Sequence, residues 1–98
     1  MQPLSFNPAV FGIGAQVVGT GGAGLAAGTT ATTAVTALVP GGIDEVSAQA
    51  ALAFASEGVE AMMINAMAQE ELIRAGAAFS EAAGIYTAVD SANASTLL

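Results

Sequence analysis

The sequence predicts an all-α protein: two helices folded into an antiparallel hairpin that carries half of a hydrophobic interior and needs a second molecule for the rest. Three observations predict it. Apolar residues recur at three- and four-residue spacing on both sides of one strong turn signal, Pro40-Gly41-Gly42. The 98 residues are 54% hydrophobic, yet 24 of them are Ala and 12 are Gly, so much of the apolar character comes without side-chain volume. Burying an Ala methyl stabilises far less than burying Leu or Phe, and a chain of this length has modest core capacity. Such a chain is too apolar to be disordered and too poor in large side chains to build a generous core alone. A single domain, 1–98, is expected at this length.

The first helix is predicted over 8–36. Asn7 can cap it, and Pro8 fits the first helical position, where a missing N–H costs nothing. Val10, Ile13 and Val17, with Phe11, Val18 and Leu25, follow at helical spacing. Seven glycines between Gly12 and Gly28 oppose it, at a cost of about 6–7 kcal/mol relative to Ala. The helix should therefore form only against a neighbour, where the missing side chains let backbones come close. The stretch 29–36 is rich in β-branched Thr and holds Val35, a composition that also suits a strand.

A loop over 37–43 leads to the second helix, predicted over 44–84 or longer. Asp44 is a good cap, and Glu45 puts negative charge in the first turn, where the helix dipole favours it. One stripe runs Ala48, Leu52, Ala55, Val59, Met62, Ala66, Gln69, Ile73, and a second runs Leu72, Gly76, Phe79, Ala83, Tyr86. Glu70 and Arg74 form an i, i+4 pair in the favourable order. Gly84 is a weak point or a stop, residues 85–98 form a C-terminal tail, and the chain after Asp90 looks frayed. Folding back from a short loop, helix one would face about 44–72. Ile73, Phe79, Ile85 and Tyr86 would then overhang the paired region.

Composition excludes several functions. Net charge is −7, with one Arg, no Lys and no His, so the cations that nucleic-acid binding requires are missing. Without Cys or His, thiolate and imidazole chemistry and the usual zinc ligands are absent. Ser47, Ser56 and Ser80 have no His base, and Glu57/Glu60 and Glu70/Glu71 read as a solvated helix face. The glycine-rich fragments look like phosphate loops, but no Lys-Ser or Lys-Thr follows them, and close helix packing explains them better. No enzyme, cofactor or metal site is expected. The Met62, Met63, Met67 cluster suits an adaptable partner surface, since one short hairpin cannot cover both faces of helix two. Residues 8–27 are uncharged and long enough to span a bilayer, although no Lys or Arg flanks them and Gln16 lies within. A glycine-rich hairpin that inserts into membranes or forms pores is therefore the competing reading. No basic n-region precedes this stretch, so a secretory signal peptide is not expected.

Together these features resemble the mycobacterial PE family over nearly the whole chain. The resemblance is carried by the start at Pro8, the Thr/Ala-rich end of helix one, Val39-Pro40, the run Asp44-Glu45-Val46-Ser47-Ala48, and Tyr86-Thr87-Ala88-Val89-Asp90 with the Ala/Asn-rich tail. The segment from Asp44 through Arg74-Ala75-Gly76 is similar to short PE proteins encoded beside ESX secretion loci. One departure is plain: the name-giving Pro-Glu pair is Pro8-Ala9 here.

The resemblance implies a function. PE proteins pair with PPE proteins, two helices from each side forming an elongated four-helix bundle. A type VII (ESX) system exports the folded pair, and an EspG-type chaperone grips the PPE partner. The implied destination is outside the cell or at its surface and envelope, by way of the cytoplasm, with a role in virulence or envelope transport. Tyr86 and Asp90 match the family's Y-x-x-x-D/E export signal. The expected partner interface comprises Val10, Ile13, Val17, Leu25, Leu52, Val59, Met62 and Ile73.

Overall fold

Two helices form, and their ends follow from local chemistry. In a computed structural model that describes residues 5–97, α1 spans Val10–Thr36 and α2 spans Glu45–Thr96. Residues 1–4 and 98 of the expected domain lie outside the described residues. The N-cap of α1 is Ala9, which makes no side-chain cap bond, so Asn7 is not the cap; it shapes the preceding turn, where its Oδ1 accepts from the Ala9 backbone N–H at 2.9 Å and its carbonyl accepts from Val10 at 3.2 Å. Pro8 and Ala9 form a turn before the regular helix, which begins two residues later than predicted.

The Thr-rich stretch is helical. Thr29, Thr30, Thr32 and Thr33 each donate a hydroxyl hydrogen bond to the carbonyl four residues back, at 2.8–3.0 Å. These bonds satisfy the hydroxyls within the helix and remove the case for a strand. Asp44 has the expected extended backbone, and its Oδ1 accepts from the Ser47 backbone N–H at 2.9 Å. Arg74 reaches both Glu70 and Glu71, all three well exposed, which makes this pair of contacts worth little.

The helices pair antiparallel along a seam of small residues. Gly14, Gly21, Gly58, Gly76 and Ala83 are the buried residues, and Ala83 is the one buried hydrophobic side chain among those described. Gly14 lies against Gly76 and Ser80, Gly21 against Gln69 and Ile73, Gly28 against Asn65, and Gly58 against Thr36 and Val35. Gly14, Gly21 and Gly28 are seven residues apart, so they return to one face every two turns. Backbones thus meet directly at Gly14 and Gly76, while at Gly21, Gly28 and Gly58 the missing side chain makes room for one from the other helix, the close packing that the glycines predicted. Gly12, Gly19, Gly22 and Gly84 face open space instead.

The register differs from the expectation. Thr36, the last residue of α1, sits beside Gly58, not beside the start of α2. Thirteen residues of α2, 45–57, therefore run on past α1, over about 20 Å. The connection 37–44 makes this possible: it is extended enough to run back along them, and Leu38, Val39 and Pro40 line a shallow cleft with Ala50, Ala51 and Phe54. Everything on α2 shifts accordingly. Ile73 packs on Gly21, and Tyr86 meets Phe6 near the start of α1, so neither overhangs. α2 also passes through Gly84 without a break and stays helical to Thr96, so the stretch after Asp90 is not frayed.

The result is a slab. Its extents are 82 × 23 × 14 Å, and the smallest is little more than one helix diameter. Its radius of gyration is 23.0 Å, against about 13 Å for a globular chain of this length. Its accessible surface is 7207 Å², against about 5,000 Å² for a globular monomer of the same mass.

Candidate functional site

The residues expected to be functional fall in two regions of the hairpin: its open apolar faces and its terminal end. The small-residue seam leaves the large side chains outside. Phe11, Ile13, Leu52, Phe54, Val59, Met63, Ile64, Met67, Leu72 and Phe79 are all exposed. A helix buries one stripe against each neighbour, and here the single neighbour takes the glycine stripe. The bulky stripes flank it on the outer surface.

The eight residues expected at a partner interface divide by this geometry. Ile13, Leu52 and Val59 are exposed. Val10, Val17, Leu25, Met62 and Ile73 are half-buried, and Ile73 is already engaged against Gly21 inside the hairpin. Sequence periodicity placed Leu52, Val59 and Ile73 on one stripe, but over that distance a straight helix drifts away from a single line.

Two amide side chains, Asn65 and Gln69, occupy the seam beside the hydroxyl residues Thr36 and Ser80, and the apolar pattern did not point to Asn65. Asn65 donates to the Gly24 carbonyl at 3.4 Å and fills the notch that Gly28 leaves. Gln69 lies against Gly24 and donates to Asn65 Oδ1 at 3.3 Å. The signal for Asn65 available in the sequence was its place four residues before Gln69, on the same side of α2; that each meets a glycine depends on register. A polar residue at a seam position fixes register, because sliding the helices strands its hydrogen-bonding groups.

The second region is the end where α1 begins and α2 finishes. Tyr86 and Asp90, one helical turn apart, lie on the same side of α2 and line one groove. Ser5, Phe6, Val89, Asn93, Ala94 and Leu97 complete its walls. The Phe6 and Tyr86 rings stack with centroids 5.4 Å apart and planes 15° from parallel. The aromatic partner of Tyr86 was missed at the sequence level because it depends on the register of the helices.

No group of three or more His, Cys, Asp or Glu among the described residues could hold a metal ion. α1 is long and apolar enough to cross a membrane, with mean hydropathy 1.4 over an 18-residue stretch.

Comparison with known proteins places the chain. Residues 4–93 match the PE family. An uncharacterized PE family protein, PE35, of Mycolicibacterium smegmatis is 66% identical over 97 residues, covering 99% of this chain and 100% of the relative. The "PE family immunomodulator PE35" of Mycobacterium tuberculosis is 49% identical over 90 residues, covering 92% of this chain and 91% of the relative. The "PE family immunomodulator PE5" of the same organism is 42% identical over 71 residues, covering 72% of this chain and 70% of the relative. No solved structure matches. With a family match across almost its full length and these levels of identity, the chain belongs to the PE family.

Proposed function

We propose that this chain is one half of a heterodimer with a PPE-family protein, exported as a folded pair by a type VII (ESX) secretion system. One observation supports it above the others: the hairpin is a single layer with large apolar side chains exposed along its length. A domain encloses a core with at least two packed layers. A second hairpin laid on the open face would supply the missing layer and complete a four-helix bundle. Exposed apolar surface on this scale marks an interface, and an obligate pairing of this kind is large and apolar.

In this reading the role is non-catalytic, and Tyr86 with Asp90 is the export signal. An EspG-type chaperone acts through the PPE partner. The pair passes from the cytoplasm to the outside or the cell envelope. That two M. tuberculosis relatives are named immunomodulators is consistent with a role there that bears on virulence.

The test is co-expression with a PPE protein, followed by size-exclusion chromatography and an export assay. The two chains should co-elute, and the chain alone should aggregate or lose helicity. Tyr86→Ala should leave the complex intact and block export. A stable, cooperatively melting monomer in plain buffer would defeat the pairing.

A second reading rests on α1, which is apolar enough to span a bilayer: a hairpin that inserts into membranes or associates with pores. It requires retention in bilayers through alkaline carbonate extraction without any partner.

A further inference from the structure

We infer that Phe6 is a positioning residue for Tyr86, so that the export signal is a composite of the N-terminal segment and the end of α2. The inference rests on the proposed role of Tyr86 and Asp90. Three observations carry it. The Phe6 ring stacks on the Tyr86 ring at 5.4 Å and 15°. Phe6 is half-buried there, while Tyr86 remains 56% exposed. Both rings and Asp90 line the same groove.

The exposure decides between two roles for the stack. A mask would bury the tyrosine. This stack covers one side of the ring and leaves the rest open, so it restricts the ring's rotamers without hiding it. The entry to α1 sets the direction of Phe6. Pro8 fixes its own φ, and the Asn7 side chain holds the Ala9 N–H at 2.9 Å, so the chain leaves the helix along one path, toward α2. Tyr86 and Asp90 come from one helix and would otherwise present a freely rotating ring beside a carboxylate. Phe6 converts them into a shaped groove. A receptor that binds a pre-set ring does not have to order it, which strengthens binding.

The experiment uses the co-expressed complex and measures export beside recovery of the complex. Phe6→Ala should leave complex recovery unchanged and lower export about five-fold, the factor expected for losing one aromatic stack. Phe6→Tyr should restore export, because a flat ring is all that is required. Phe6→Leu keeps apolar bulk and loses the stack, so it should export as poorly as the alanine variant. If Phe6→Ala impairs assembly, Phe6→Leu carries the test alone. Wild-type export of Phe6→Leu would overturn the inference. Tyr86→Ala is measured in parallel. If it blocks export while Phe6→Leu is exported normally, the signal stands and the role of Phe6 falls. If Tyr86→Ala is itself exported normally, both fall.

Discussion

Gly14 and Gly76 meet backbone to backbone: a Cβ on Gly76 would lie 2.7 Å from the Gly14 carbonyl oxygen, and one on Gly14 would lie 2.8 Å from that of Gly76. The hairpin is therefore held by what its seam lacks. Glycines that weaken an isolated helix permit close approach here, and dispersion between the backbones, and between glycine notches and the side chains seated in them, offsets the missing volume.

Gly14→Ala should destabilise the helix pairing by about 1–3 kcal/mol, the usual range for overpacking, outweighing the roughly 1 kcal/mol that the helix gains from alanine. Gly12→Ala, two residues away with nothing within 4 Å, keeps only the gain. Thermal melts of the PPE complex followed by far-UV circular dichroism should move in opposite directions for the two variants. A parallel shift would show that the seam is not as close as described.

Asn65 and Gly28 should behave as a coupled pair. Gly28→Ala drives a methyl into the Asn65 side chain, and Asn65→Ala removes the obstacle. The double variant should be more stable than the sum of the single effects predicts, by about 1 kcal/mol or more. A double-mutant cycle from denaturant melts measures this, and strict additivity would place Asn65 outside the notch.

The open face distinguishes a lone protein from half of a pair. Met67 is 62% exposed, so on an isolated hairpin Met67→Asp should change stability by no more than about 0.5 kcal/mol. Covered by a partner, the same change buries an unpaired carboxylate and costs about 3 kcal/mol or more. Co-purification with the PPE protein should be lost. Undiminished co-purification would place the partner elsewhere.

Asp44 should make the acid limb of stability steeper. Its carboxylate is stabilised by the side chain and then the backbone N–H of Ser47, which hold its pKa below the ordinary 3.8. Between that lowered value and 3.8 the unfolded chain binds more protons, so this contribution is complete above 3.8 and disappears as pH falls through the folded value. Asp44→Asn can still cap the helix but has no charge to lose. Acid melts of the two proteins should differ in slope across this range, and superimposable curves would remove Asp44 from the pH response.

Much of the fold was legible in residue order. Asn7-Pro8 and Asp44 marked the helix entries, Pro40-Gly41-Gly42 marked the break, and the glycines announced close packing. The carboxylates of α2 and the lack of His and Cys argued against catalysis before any fold was known. The candidate signal pair was readable because Tyr86 and Asp90 lie one turn apart on a single helix, where spacing alone determines a shared side. Which glycines form the seam was less legible, since Gly12 and Gly14 both fit a helical pattern and only one of them faces α2.

Sequence by itself determined two helices, a small-residue seam and an interior too poor in side-chain volume to close. Tertiary structure alone decided the axial offset between the helices. Periodicity specifies which side of a helix is apolar, and it says nothing about how far one helix slides along another. A connection over 37–44 that packs back on the start of α2, with Asn65 and Gln69 seated against glycines, set that offset. It moved Tyr86 from a presumed overhang into contact with Phe6, eighty residues earlier in the chain.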